Sequence, residues 1–279
     1  DKGDLSIGLD HLGFSPESIE AFKEAVKRPY GMILVTGPTG SGKSTTLYSI
    51  LSQLNTPTRN IITVEDPVEY QVEGITQVQT HADIGLTFAN GLRALLRQSP
   101  DVVMIGEIRD FETADIAMKA SLTGQLVLST LHTNDAPSAV TRLVDMGVEP
   151  FLVASSVSLI QAQRLIRKLC TKCRTPYKPP AEVLEPLGTI RLEKGATFYQ
   201  AKGCHVCNGT GYKGRMGIIE VFQVDEHVRG LIVQKAQSWE IKQYAVEKLG
   251  LVTLRQDGLK KAANGVTTLE EVLDATTEE

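Results

Sequence analysis

A mainly parallel α/β sheet around a phosphate-binding loop, with a cysteine-bearing insertion and a helical end, is the fold class predicted here. Three observations predict it. The apolar run Met32-Ile33-Leu34-Val35-Thr36 leads directly into Gly37-Pro38-Thr39-Gly40-Ser41-Gly42-Lys43-Ser44. Short apolar runs then alternate with helical periodicity as far as residue 134. Two Cys-x-x-Cys pairs follow, at 170–173 and 204–207.

The elements follow in chain order. Ser15-Pro16 is a cap followed by proline in the first turn of a helix, running through Ile19, Phe22, Ala25 and Val26. After the strand at 32–36 comes the glycine loop, which matches G-x-x-x-x-G-K-[ST]. A helix follows from Thr45, with Leu47, Ile50, Leu51 and Leu54 on one face. Strand, glycine loop and helix start together aim backbone N–H groups and a positive dipole end at a polyphosphate. Lys43 would meet the outer phosphates and Ser44 would hold Mg²⁺, so ATP or GTP is the expected ligand.

A second strand is predicted over 59–64, delivering Glu65-Asp66-Pro67-Val68-Glu69. A third is predicted at 75–78 and a helix over 88–96, with Arg93 and Arg97 four apart on its outer face. Val102-Val103-Met104-Ile105 is another apolar strand, ending at Gly106-Glu107. A helix over 111–122 and a strand over 125–130 complete the alternation, closing on Leu131-His132-Thr133-Asn134. Strands alternating with helices imply a parallel sheet covered on both faces, with ligands beyond the carboxyl ends of the strands. Lys43, Glu65, Glu69, Glu107 and His132 all fall there.

Residues 150–169 are apolar and close on Arg164, Arg167 and Lys168. Glycine and proline crowd 170–217, a loop-rich stretch. From Val221 four short helices are predicted, around 225–236, 238–248, 253–263 and 268–275. The expected division is 1–165 for the nucleotide core, 166–218 for the cysteine element and 219–279 for a helical subdomain.

Composition narrows the class. The chain has 279 residues, 42% hydrophobic and 22% charged, enough for a sizeable core. A net charge of −4 speaks against a broad nucleic-acid surface. No apolar run of about 18 residues occurs and the start, Asp1-Lys2-Gly3-Asp4, lacks a leader's apolar region, so a cytoplasmic location is expected.

Hydrolysis of a nucleotide needs Mg²⁺, neutralised phosphates and an oriented water. Glu107 closes an apolar strand in the manner of a Walker B acid, with Gly106 where the acid usually stands. Glu65 or Glu69 would polarise the water, and His132 would sense the γ-phosphate. The ordinary alternatives are a solvated turn around Pro67 for the acids and a structural hydrogen bond for His132. Arg93, Arg97 and Arg109 are ordinarily solvated, though arginines acting across a subunit boundary are common in ring ATPases.

The four cysteines suit one closed tetrahedral Zn²⁺ site, formed by Cys170, Cys173, Cys204 and Cys207, which is a structural arrangement. A disulfide framework or a redox pair explains the two knuckles less well. His205 lies inside a knuckle and is not counted as a ligand.

Together these motifs resemble the secretion ATPase superfamily, which drives type IV pilus assembly and type II secretion. Those carrying the resemblance are Gly37–Thr46, Glu65-Asp66-Pro67-Val68-Glu69-Tyr70, Gly85-Leu86-Thr87-Phe88, Leu92–Arg97, Gly106-Glu107-Ile108-Arg109-Asp110 and Ser129–Asn134. The resemblance covers nearly the whole chain. The resemblance implies a RecA-like fold and a homohexameric ATP-hydrolysing motor at the cytoplasmic side of the inner membrane. It would work with a membrane platform protein and other pilus or secretion components. It also implies that residues 37–45 hold ATP, that Glu69 is the water-activating base, and that Glu107 stands on the Mg²⁺ side. His132 falls in the family's His box, and Arg93, Arg97 and Arg109 are nucleotide-site arginines. Two departures stand out, Gln98-Ser99-Pro100-Asp101 for Gln-Asp-Pro-Asp and Gly124-Gln125-Leu126 for Gly-His-Leu. Only 36 residues precede Gly37, so a carboxy-terminal motor portion, weak in hydrolysis by itself, is expected. Retraction motors generally lack the four cysteines, which disfavours retraction. Pilus assembly is favoured over type II secretion, partly from Glu220-Val221-Phe222. A nucleic-acid ring motor is the alternative from another class.

Overall fold

The computed structural model describes residues 8–180 and 197–276. Strands β1 (Gly31–Thr36), β2 (Ile61–Glu65), β3 (Thr76–Gln79), β4 (Val102–Ile105), β5 (Leu126–Leu131), β6 (Val157–Leu169) and β9 (Tyr212–Gln223) form one seven-stranded sheet. Its order is β3-β2-β4-β5-β1-β6-β9, and every neighbouring pair is parallel except β6–β9. A separate pair, β7 (Thr175–Tyr177) and β8 (Phe198–Gln200), is antiparallel.

Side-chain parity divides the core into two layers. Ile33, Val35, Met104, Leu126 and Leu128 face one way, against α1 (Pro16–Val26) and α2 (Lys43–Leu54). Met32, Leu34, Val103, Ile105 and Val127 face the other way. They meet α3 (Phe88–Leu96), α4 (Phe111–Leu122), α5 (Ala136–Asp145) and α6 (Pro150–Ser156). Beyond these lie α7 (Glu226–Val233) and α8 (Ser238–Lys248). The smaller cluster of Phe198, Leu259, Ala262, Leu269 and Val272 packs β8 against α9 (Leu254–Ala263) and α10 (Leu269–Ala275). Caps fix the helix starts: the Ser15, Thr87, Asp110 and Asp135 side chains accept from Ser18, Asn90, Thr113 and Ser138 N–H. Each contributes about 1 kcal/mol.

The sequence leaves 150–169 without a strand, yet β6 is the longest strand in the sheet. Its central residues are buried without alternation, so no period of two marks it. Paired with β9 from Leu159↔Gln223 to Leu169↔Tyr212, it forms a single hairpin. This hairpin runs through the boundaries expected at 165/166 and 218/219. The cysteine-bearing excursion therefore starts at Cys170 and ends at Gly211, directly off the two strand ends. Of the loop-rich stretch, 181–196 lies outside the described residues.

Candidate functional site

The glycine loop joins β1 to α2 at the carboxyl edge of the sheet. Gly42 is the N-cap of α2 at φ 90°, a conformation that costs glycine nothing and strains other residues. The first N–H groups of α2 have no partner within the helix and open onto a cavity of about 530 Å³. Lys43 Nζ lies across the loop, donating to the carbonyls of Gly37 at 2.8 Å and Pro38 at 2.9 Å. Burial pushes its pKa down, and the nearby Glu107 charge opposes that. Ser44 Oγ donates to Glu69 Oε1 at 2.9 Å.

Glu107 lines the same cavity at the end of β4. One carboxylate oxygen pairs with Arg109 Nη2, and the other lies 3.5 Å from His132 Nε2. The bond to Glu107 pushes the Arg109 pKa up, and Arg109 also reaches Asp66 at 3.8 Å. Thr130 Oγ1 donates to the Gly106 carbonyl at 2.7 Å and Ser129 Oγ to Ile105 at 2.8 Å, tying the β4 end to β5. Lys43, Ser44, Glu69, Glu107, Arg109 and His132 thus converge on one cavity from four different parts of the chain.

Glu65 also borders the cavity but is differently engaged. It is the last residue of β2 and only 3% exposed. Its carboxylate accepts from the Tyr48 hydroxyl, from Thr63 Oγ1 at 2.5 Å and from Gln77 Nε2 at 3.2 Å. Burial and this bond raise the Tyr48 pKa well above that of a free tyrosine. Every position of β2 is buried, Glu65 included, whereas Glu69 lies past the turn at Pro67.

Of the three arginines, the structure brings only Arg109 to the cavity. Arg93 pairs with Glu112 at 2.6 Å on the outer face of α3–α4, and Arg97 is exposed at the C-cap of α3. Neither lines the cavity of this one chain. Sequence reasoning missed Tyr48, Leu165 and Arg215, all of which line it. The last two arrive on the β6–β9 hairpin, and no motif marks them.

The four cysteines come together: all their Sγ atoms lie within 4.8 Å of one another. Cys170–Cys204 is 3.9 Å, Cys173–Cys207 3.8 Å and Cys204–Cys207 3.7 Å. A tetrahedral ion with metal–sulfur bonds of about 2.3 Å requires sulfur separations of about 3.8 Å. The donor set therefore fits a closed metal site, and His205 is outside it. Burial alone would push the Cys207 thiol up. N–H donation from Cys204 and Gly211, each at 3.2 Å, outweighs it and brings the pKa down to about 6.

Comparison with known proteins follows the same lines. The family model described as "Type II/IV secretion system protein" matches residues 1–274. The chain belongs to that family. It is 54% identical over 278 residues to the type IV pilus assembly ATPase PilB of Myxococcus xanthus, covering 99% of this chain and 49% of that protein. It is 52% identical over 279 residues to type II secretion system protein E of Pseudomonas aeruginosa, covering 100% of this chain and 55% of that one. The chain thus spans about half the length of these relatives. The crystal structure of the pilus retraction motor PilT with bound ADP has a TM-score of 0.68 at 30% identity, covering 95% of this chain and 65% of that one. The Legionella pneumophila ATPase DotB, at TM-score 0.70 and 23% identity over 98% of this chain and 66% of its own, shares the fold. Among the described residues, no helix is long and apolar enough to cross a membrane.

Proposed function

We propose that this chain is the ATP-hydrolysing portion of a motor powering type IV pilus assembly. The observation that carries the reading is the convergence of Lys43, Ser44, Glu69, Glu107 and His132 on one cavity at the start of α2. Residues 37–45 and the N-terminus of α2 hold the triphosphate, with the Lys43 ammonium on its outer oxygens. Mg²⁺, when bound, neutralises phosphate charge beside the Ser44 hydroxyl. Glu69 is the base that orients water, Glu107 supports the metal side and holds Arg109, and His132 reports the γ-phosphate position.

The cysteine cluster takes Zn²⁺ as a structural ion. The assembly is a homohexamer at the cytoplasmic face of the inner membrane, acting on a platform protein, and Arg93 and Arg97 serve a neighbouring subunit's site. Relatives named for pilus assembly and for type II secretion match about equally, at 54% and 52%. Type II secretion is therefore the second reading. The net charge of −4 disfavours a nucleic-acid motor.

Phosphate release and Mg-ADP binding by wild type, Lys43→Ala, Glu69→Gln and Glu107→Gln test the site. Lost binding in Lys43→Ala and lost kcat with retained binding in Glu69→Gln are expected. Wild-type turnover in Glu69→Gln overturns its assignment as base. Complementation of pilus-minus and secretion-minus cells decides between the two machines.

A further inference from the structure

The phosphate loop is gripped from its far side by a residue outside every motif above. Gln163 on β6 is 4% exposed. Its Nε2 donates to the Ser41 carbonyl at 2.7 Å. Its Oε1 accepts from the Thr46 hydroxyl and from Gln161 Nε2, each at 2.7 Å. The Ser41 carbonyl can only accept, so the Gln163 amide fits one way round, and Gln161, at 0% exposure, is oriented in turn.

The backbones are as close as the side chains. A Cβ on Gly37 would lie 2.3 Å from the Gln163 carbonyl oxygen, and one on Gly42 would lie 3.1 Å from Gln163 Nε2. Gln163 thus touches the first glycine of the loop, its Ser41–Gly42 peptide and the first turns of α2. The geometry of that peptide gives the contact its consequence. The Ser41 C=O and the Gly42 N–H belong to one planar trans unit and point in opposite directions. Holding the carbonyl toward β6 turns the Gly42 N–H away from β6, and Gly42 lines the nucleotide cavity.

We infer that Gln163 is the positioning residue of the nucleotide site, fixing the Ser41–Gly42 peptide so that its N–H faces the phosphates. It acts through the loop and does not touch the nucleotide. The inference rests on the nucleotide-binding reading proposed above.

Isothermal titration of the 279-residue chain with Mg-ADP, alongside thermal unfolding, tests it. Gln163→Leu removes donor and acceptor at similar volume. Gln163→Glu keeps the acceptor for Thr46 and Gln161 but sets an oxygen against the Ser41 carbonyl. Both are expected to raise Kd about tenfold at unchanged stoichiometry, with Gln163→Glu at least as weak as Gln163→Leu. Wild-type Kd at reduced stoichiometry means that only folded fraction was lost, and overturns the inference. So does wild-type affinity in Gln163→Glu. Should neither variant fold, Thr46→Val, which removes the hydroxyl's 2.7 Å bond to Gln163 and its longer 3.4 Å contact with the Gly42 carbonyl, is expected to raise Kd about threefold; an unchanged Kd there overturns the inference. Wild type failing to bind Mg-ADP, or Lys43→Ala binding like wild type, overturns the nucleotide reading itself. Tight wild-type binding with indifferent Gln163 variants overturns the positioning role alone.

Discussion

Tyr48→Phe tests whether Glu65 is a strut or a catalyst. The substitution keeps the ring and its edge-on contact with Tyr70, whose centroid is 5.6 Å away. It removes one donor from a carboxylate that is 3% exposed. A hydrogen bond to a charged group contributes about 1.5–3 kcal/mol. Thr63 and Gln77 still donate to Glu65, so the expected loss is in the lower part of that range, about 2 kcal/mol. For a chain of 279 residues that lowers Tm by about 3–4 °C. Thermal unfolding followed by circular dichroism reads the shift. The companion variant, Glu65→Gln, keeps the shape but replaces one accepting oxygen with a donor; it is expected to lower Tm and to keep most of the turnover of the folded protein. An unchanged Tm in Tyr48→Phe, or abolished turnover with native Tm in Glu65→Gln, would refute the structural assignment.

Other outcomes follow from the same geometry. Lys261 pairs with Asp257 at 2.5 Å and donates to the Gly13 and Gly217 carbonyls at 2.6 and 2.9 Å. Lys261→Ala leaves Asp257 buried without its countercharge and is expected to cost about 3–5 kcal/mol, measured by denaturant unfolding. Cys170→Ser is expected to abolish stoichiometric zinc in elemental analysis and to expose the knuckles to protease. Full zinc retention in that variant would sink the four-thiolate reading. Glu271 is pushed up by burial, but its bonds to the Arg167 side chain and backbone outweigh this and hold its folded pKa below the ordinary 4.5. A lowered carboxylate stabilises above the unfolded pKa and loses that contribution as pH falls through the folded one. Tethering of α10 to β6 should therefore weaken below about pH 4.5, as read by amide exchange in α10. Gly42→Ala forces a side chain to φ 90°, at about 1–2 kcal/mol, and should weaken Mg-ADP binding in a titration.

The chemistry of adjacent residues was legible in the sequence. The glycine loop and the two knuckles are contiguous motifs whose geometry follows from backbone conformation and ligand spacing, and the helices over 88–96 and 111–122 carry their own periodicity and caps. The tertiary structure decided what burial and pairing control. Glu65 and Glu69 belong to one short acidic cluster, yet one is the last buried position of β2 and the other lies beyond the turn. Arg93 and Arg109 have the same side chain, yet Arg93 pairs with Glu112 on the surface while Arg109 reaches Glu107 in the cavity. The grip of Gln163 on the loop, and the arrival of Leu165 and Arg215 at the cavity, depend on β6 pairing with β1 and then with β9. Gln163 and the loop it holds are more than a hundred residues apart, and only packing of the whole sheet selects such neighbours, because no local preference distinguishes one buried strand's neighbour from another's.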